Sequence, residues 1–509
     1  MRFHTTKTDQ ALLPPHVTIP QDNHFPVPEQ LSASPPSDFK RLPDINRIFK
    51  PPVNPDFKPD ETLINILNGR RLLMDEILPC TDLNTIHEHY ANGYIRYEPA
   101  LTSKNHCTRC GNATLHLFAS YHCFRCKQTC TYCRSCVTMG RVSSCAVYAI
   151  GSSLTAPPVQ NHTLGWTGTL SPAQERAARF LTNALNSNKK ECLIWAVCGA
   201  GKTEMLFEAI LESLKKNYRV LIATPRSDVV RELEPRIRQA FPKTSIAALY
   251  GGSEDRYKNA HITISTTHQL LRFHHAFDFT IIDEVDAFPY DSDPKLRYAV
   301  RRAAKPDTLT AYVTATPDQT MQNIAASQKL PAIKVPRRYH GHPLPVPEYR
   351  WAAGWRKKAV KGKVPCNLEH WLETVLGERK QVFLFVPSIR ILTLVLPYLQ
   401  EKFPETDGVY SEDDQRAEKV LTFREGKTRL LLTTTILERG VTVKGVQVGV
   451  LGADDHVFTE SALVQIAGRA GRSPDEPTGD VIFFHDGKTR AMVKAKNQIL
   501  MMNRVEVIK

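Results

Sequence analysis

Short apolar runs alternate with stretches of helical period over the C-terminal two-thirds of the chain. From about 165 to 335 the runs are Cys192–Ala196, Val220–Thr224, His261–Ser265, Phe279–Asp283 and Leu309–Thr314. Stretches such as Met205–Leu214 lie between them, with apolar residues at helical spacing. Runs of this kind predict strands buried on both faces, and their alternation with helices predicts βαβ units around a parallel sheet. A connector rich in proline and basic residues follows, with Pro336-Arg-Arg-Tyr-His340 and Pro343-Leu-Pro-Val-Pro347. The alternation then resumes with Gln381–Val386, Arg429–Thr433, Val448–Leu451 and Asp480–Phe484. Two tandem α/β lobes are expected, over 160–335 and 366–509, with 336–365 as a linker.

The N-terminal third reads differently. Residues 1–60 are rich in proline, show no sustained period and are expected to be mostly disordered. A short helical segment is expected within 61–100, starting at the pattern Glu61–Met74. A cysteine-rich module over 101–150 follows, then a linker carrying Pro157-Pro158. At 509 residues the chain is too long for one core. Its 66 Lys and Arg against 52 Asp and Glu leave a charge of +14, which favours an anionic partner, nucleic acid first. No run reaches the 18 or so apolar residues of a membrane span, and Met1–Lys7 lacks an apolar export core. A cytoplasmic protein is expected, with any membrane association peripheral.

The sharpest chemical signal is Ala196-Val-Cys-Gly-Ala-Gly-Lys-Thr203, set between an apolar run and a helical stretch. In a strand–turn–helix, the backbone of Gly199, Ala200 and Gly201 presents N–H groups to a polyphosphate. Lys202 would reach the β- and γ-phosphates of ATP, and the Thr203 hydroxyl would hold Mg²⁺. Ala196 stands where the usual pattern has its first glycine. Asp283-Glu284-Val-Asp286 closes another run, at the strand end where parallel sheets bind ligands. Asp283 would hold Mg²⁺ through water, and Glu284 would orient and deprotonate the attacking water. Upstream, Ser171 and Pro172 fit a helix start, and Gln174 has the paired donor and acceptor to read an adenine edge. Far downstream, Gln465-Ile-Ala-Gly-Arg-Ala-Gly-Arg472 adds a glutamine to the nucleotide set and two arginines three residues apart. Arg469 and Arg472 would cross a cleft to the γ-phosphate and neutralise transition-state charge.

These motifs, with Thr314-Ala-Thr-Pro317 between them, occur in an order that resembles superfamily 2 helicases and translocases. The resemblance implies two RecA-like lobes with ATP between them and single-stranded nucleic acid across the opposite rim. The nucleic-acid motifs fall at Ala223–Arg226, Ser265–Thr267, Val386–Ser388, Thr433–Thr435 and Glu438-Arg-Gly440, although each hydroxyl could equally cap a helix.

Seven of the twelve cysteines lie within 107–136, and an eighth follows at 145. Clustered thiols in a reducing compartment read as metal ligands. Cys107, Cys110, Cys123 and Cys126 form two C-x₂-C pairs, the first choice for a tetrahedral Zn²⁺ site. Cys130, Cys133, Cys136 and Cys145 would make a second, with ligand swaps among the eight left open. Residues 101–150 also carry six Lys or Arg, interleaved aromatics and no Asp or Glu, which predicts a single-stranded-DNA-binding module. A purely structural zinc knot is the alternative.

A tetracysteine module ahead of such a motor is similar to the ComFA family, late-competence DNA-uptake helicases of transformable Gram-positive bacteria. The segment Cys133–Arg141 is similar to that family's zinc region. Membership implies a motor at the cytoplasmic face of the membrane, drawing single-stranded DNA inward. A competence channel protein and a phosphoribosyltransferase-like companion are the implied partners, with a homo-oligomer in prospect. Rival readings are a primosomal-type replication-restart helicase, a zinc-dependent DNA-binding protein using ATP only as a switch, and an RNA helicase.

Overall fold

The computed structural model describes residues 50–102, 105–152, 161–438 and 443–505, with isolated positions before 50. Most of the proline-rich segment and the Pro157-Pro158 linker lie outside the described residues, as do Lys104, Arg439 and Gly440.

The N-terminal module is built on a three-stranded antiparallel sheet of β1 (Arg71–Leu73), β2 (Ile95–Pro99) and β5 (Val147–Gly151), with β5 central. A separate hairpin, β3 (Phe118–Cys123) and β4 (Gln128–Cys133), rises between them. The boundary expected at residue 100 therefore does not hold. Strands on both sides of the cysteines pair with each other, so 61–151 folds as one unit. The helix expected from Glu61 ends at Leu67, and the chain turns into β1. Residues 50–60 also dock on this unit: Asn54 N–H donates to Asn92 O (3.0 Å) and its amide bonds the Asn92 side chain (2.9 Å).

Lobe 1 is a seven-stranded parallel sheet of β6 (Glu191–Ala196), β7 (Val220–Thr224), β8 (Ile246–Leu249), β9 (Ile262–Thr266), β10 (Phe277–Asp283), β11 (Ala304–Thr314) and β12 (Ala332–Val335). Its spatial order is β8-β9-β7-β10-β11-β6-β12. Lobe 2 is a six-stranded parallel sheet of β13 (Glu348–Trp351), β14 (Val382–Phe385), β15 (Thr406–Val409), β16 (Leu430–Thr433), β17 (Gln447–Leu451) and β18 (Val481–His485), ordered β13-β18-β17-β14-β16-β15. The segment expected to be a linker supplies β13 and the helix Trp355–Val360, whose Trp355 is buried. Its proline spacing hid an edge strand that needs only one partner.

The interior strands are apolar and buried on both faces, as parallel sheets covered by helices require. One apolar cluster runs from lobe 1 through Leu344 into Phe383, Leu463 and Ile466 of lobe 2. The other face of lobe 1 shares a cluster with the N-terminal module, including Cys107, Cys110, Cys133 and Cys136 beside Leu270, Leu296 and Val300. Among the described residues, no helix is long and apolar enough to cross a membrane.

Candidate functional site

The glycine loop leaves β6 with Gly199 at φ +80° and Gly201 at φ +69°, a left-handed backbone that side chains disfavour. A Cβ on Gly201 would stand 2.4 Å from the Gln174 amide nitrogen. Gln174 is held from both ends in this structure. Its Oε1 accepts from Ser171 N–H (2.8 Å), and its Nε2 donates to Ala200 O (2.9 Å) and Gly201 O (3.4 Å). The Ser171 cap and Pro172 start form as the sequence predicts, but the amide clamps the loop here. Reading an adenine edge would require exchanging those bonds.

Asp283 ends β10, and Glu284 turns sharply with φ +58°, a conformation that costs a non-glycine residue energy. Glu284 N–H holds the turn by donating to Val313 O (2.9 Å) and Asp283 Oδ1 (3.0 Å). Lys202 Nζ stands 3.7 Å from Asp283 Oδ1. Gln174, Gly199–Thr203, Asp283 and Glu284 line one cavity of about 490 Å³, and Gln465, Arg469 and Arg472 of lobe 2 close its far wall. The structure thus brings every expected nucleotide residue of both lobes to one space.

The two lobes touch at this wall. Cys198 Sγ lies 2.9 Å from Gln465 Oε1, and a Cβ on Gly468 would fall 2.4 Å from Cys198 Cβ, so glycine allows the close approach. Arg469 Nε donates to Glu438 O (2.9 Å) and Arg472 Nε to Gly468 O (3.0 Å). Burial, reinforced by the neighbouring Arg472 charge, pushes the Arg469 guanidinium well below its ordinary pKa. An anionic phosphate in the cavity would relieve that cost. Asp286, three residues beyond Asp283, couples the lobes by a separate route. Its carboxylate accepts from the hydroxyls of Thr314, Thr316 (2.5 Å) and, across the cleft, Ser461 (2.6 Å).

Sequence reasoning missed one residue in the supposed linker. Arg338 is buried, packs its stem against Gly199, and donates to Ala470 O (2.7 Å) and to Gly471 O. Tyr339 N–H donates to Gly199 O (3.0 Å). Burial and then the Arg472 charge lower Arg338 to about 10. The segment between lobes is therefore a strut joining the glycine loop to the arginine pair. Only the unusual density of Arg337, Arg338 and Tyr339 among prolines signalled it.

The expected nucleic-acid motifs are less open. Ser388 caps the helix Ile389–Lys402, with Ile391 N–H donating to its Oγ (3.2 Å). Ser265, Thr267 and Thr433 are buried at strand ends. Arg226 is tied to Asp228 (3.0 Å) and donates across the cleft to Ile436 O (2.9 Å).

The thiols regroup relative to the first-choice expectation. The sulfurs of Cys107, Cys110, Cys133 and Cys136 lie within 4.8 Å of one another, as do those of Cys123, Cys126, Cys130 and Cys145. The hairpin explains the exchange. Cys130 and Cys133 are three apart on one strand, so they face opposite sides. Cys133 pairs with Phe118 at the hairpin base, whereas Cys123 pairs with Gln128 at its tip, roughly 16 Å away at ~3.3 Å per residue. Tetrahedral Zn–S bonds of about 2.3 Å need sulfurs about 3.8 Å apart. The closest pairs stand at 3.7 Å (Cys107–Cys136 and Cys110–Cys133), 3.6 Å (Cys123–Cys145) and 3.2 Å (Cys126–Cys130). Both sets fit a Zn²⁺ ion.

Paired RecA-like lobes that close a glycine-loop cavity with an arginine pair define a superfamily 2 helicase, an ATP-hydrolysing enzyme. Family profiles agree: type III restriction enzyme, res subunit, matches 167–319, helicase conserved C-terminal domain matches 367–474, and competence protein ComFA N-terminal domain matches 56–150. The chain belongs to the ComFA family of competence-associated helicases. It is 45% identical to competence protein ComFA of Bacillus subtilis over 457 residues, 89% of this chain and 98% of that protein. It is 39% identical to ComFA of Streptococcus pneumoniae over 375 residues, 73% of this chain and 86% of that one. The structure of S. cerevisiae Dbp5 bound to RNA and ADP BeF3 shares the fold, with a TM-score of 0.50 at 17% identity, covering 66% of this chain and 88% of that one.

Proposed function

We propose that the chain is an ATP-driven translocase on single-stranded DNA that draws transforming DNA into the cytosol. The observation carrying this reading is the shared cavity, in which lobe 2 supplies Arg469 and Arg472 to a pocket that lobe 1 builds around Lys202. Membership of a family whose named members are competence proteins supports the biological role.

In this reading the N–H groups of Gly199–Gly201 and the Lys202 ammonium bind and orient the triphosphate. A Mg²⁺ ion held by the Thr203 hydroxyl and, through water, by Asp283 would neutralise developing phosphate charge. Glu284, aimed into the cavity by its left-handed turn, accepts the proton of the attacking water. Arg469 and Arg472 stabilise the charge spreading onto the γ-phosphoryl oxygens. Hydrolysis splits off the γ-phosphate, and its release as inorganic phosphate removes the anion that offsets their burial, so the lobes lose a reason to stay closed. Asp286, Ser461 and the Arg338 strut pass that change between lobes. Opening and closing would move the two lobes along a phosphate backbone, which positions DNA without reading sequence. We place the motor at the cytoplasmic membrane face, with a channel protein and a phosphoribosyltransferase-like companion as partners and self-association as a further property.

Two tests follow. Steady-state ATP turnover is expected to rise severalfold with single-stranded DNA and much less with duplex DNA or RNA; equal stimulation by RNA would contradict a DNA-uptake motor. Each thiol set is expected to hold one Zn²⁺. Cys133→Ser, whose sulfur lies inside the core shared with lobe 1, should lower both zinc content and the melting temperature of the motor. Cys123→Ser should lower zinc content alone. Equal melting temperatures for the two variants would refute the assigned grouping.

A further inference from the structure

The two thiol clusters sit in different surroundings. The proximal set is built into lobe 1. Cys133 and Cys136 share an apolar cluster with Leu270 and Leu271, in the turn Gln269–Arg272 just after Thr267. Lys295 Nζ donates to Ser135 O (3.2 Å), and a Cβ on Gly111 would meet the Tyr298 ring at 2.8 Å. Glu76 pins the same knuckle by accepting from Arg109 (3.1 Å) and from Arg272 of lobe 1 (2.7 Å). The distal set stands apart, at the tip of β3–β4, in a small cluster of its own with Tyr121.

Tyr121 packs on the distal thiols and Arg125 pairs with Asp75 (2.7 Å), but other side chains around that tip face solvent. Phe124, held between the ligand pair Cys123 and Cys126, is 83% exposed, with Lys127 Nζ 3.7 Å from its ring centre. Tyr121 and Tyr132 meet edge to face at 5.7 Å, and the Arg141 guanidinium lies 4.9 Å from the first ring and 5.6 Å from the second. Arg134 and Arg141 are exposed, and 101–150 contains no acidic residue to compete for them. Rigid aromatic faces beside unopposed cations suit unpaired bases on a polyphosphate chain.

We propose that the hairpin tip is a second grip for single-stranded DNA, stacking bases on Phe124 and on the Tyr121–Arg141–Tyr132 group, while the proximal cluster serves only to fix the module to lobe 1. This rests on the reading of the motor as acting on single-stranded DNA. The hairpin rises from the proximal cluster, which adjoins the turn after Ser265–Thr267 of lobe 1. The grip lies outside the nucleotide cavity and acts on hold, not on hydrolysis.

The experiment compares the full chain with Phe124→Ala and with Phe124→Ala/Arg141→Ala. Affinity for labelled oligo-dT is read by fluorescence anisotropy at fixed salt, beside basal ATP turnover and zinc content. The double variant is expected to bind oligo-dT about tenfold more weakly, the loss of one stacked base. Its basal turnover, zinc content and maximal stimulation at saturating DNA should match the parent. Unchanged oligo-dT affinity in the double variant, with a parent that binds and is stimulated, would overturn the grip and leave the motor reading standing. An equal loss on duplex DNA would overturn base stacking in favour of plain phosphate contact. A parent that neither binds oligo-dT nor responds to it would overturn the translocase reading itself.

Discussion

Glu284→Gln is expected to lower ATP turnover by about 10²–10⁴-fold, the range set by loss of a positioned general base. The amide keeps the size of the carboxylate, and the turn rests on the Glu284 N–H donating to Val313 O and Asp283 Oδ1, so the fold and ATP binding should survive. Lys202→Ala should lose turnover to a similar extent and ATP affinity as well, because Lys202 holds the phosphates in the ground state as well as in the transition state. Its partner Asp283 is 14% exposed and stands 3.7 Å away. Steady-state turnover, binding of a fluorescent ATP analogue and thermal melting separate the two variants. Near-normal turnover in both would remove the hydrolytic assignment.

Arg469→Ala and Arg472→Ala are each expected to lower kcat by about 10³-fold or more, as loss of an arginine finger does. The loss should fall on kcat, with ATP binding changed far less, because lobe 1 alone holds most of the triphosphate. Arg469 is 2% exposed and donates to Glu438 O, so alanine there also removes that bond between neighbouring segments of lobe 2. Arg469→Lys is the control: it retains the charge, loses the planar fork and should remain slow. Combining either arginine variant with Glu284→Gln should add little further loss, because the groups act on one transition state.

The strands legible in the sequence are those inside the sheets. β6, β7, β9, β10 and β11 of lobe 1 and β14, β16, β17 and β18 of lobe 2 coincide with the apolar runs, because burial on both faces leaves no polar alternation. The four strands that pattern misses, β8, β12, β13 and β15, are the four sheet edges. Edge strands are short and need satisfy only one neighbour; Glu348-Tyr-Arg-Trp351 and Thr406-Asp-Gly-Val409 look like connectors for that reason. The nucleotide residues were legible because phosphate chemistry dictates residue type at fixed local spacing. Arg338 was not, since its partners Ala470 and Gly471 are more than 130 residues away and are backbone atoms. The thiol grouping failed for a related reason. Sequence order pairs Cys107 and Cys110 with the next C-x₂-C, but the hairpin carries Cys123 to its tip and returns Cys133 to its base.

Two lobes complete one hydrolytic site. The most direct test is a structure of the chain with Mg²⁺ and a non-hydrolysable ATP analogue. The γ-phosphate is expected between Lys202 and both Arg469 and Arg472, each guanidinium within hydrogen-bonding distance. A triphosphate seated on lobe 1 with both arginines turned away, in a complex that still binds single-stranded DNA tightly, would contradict it.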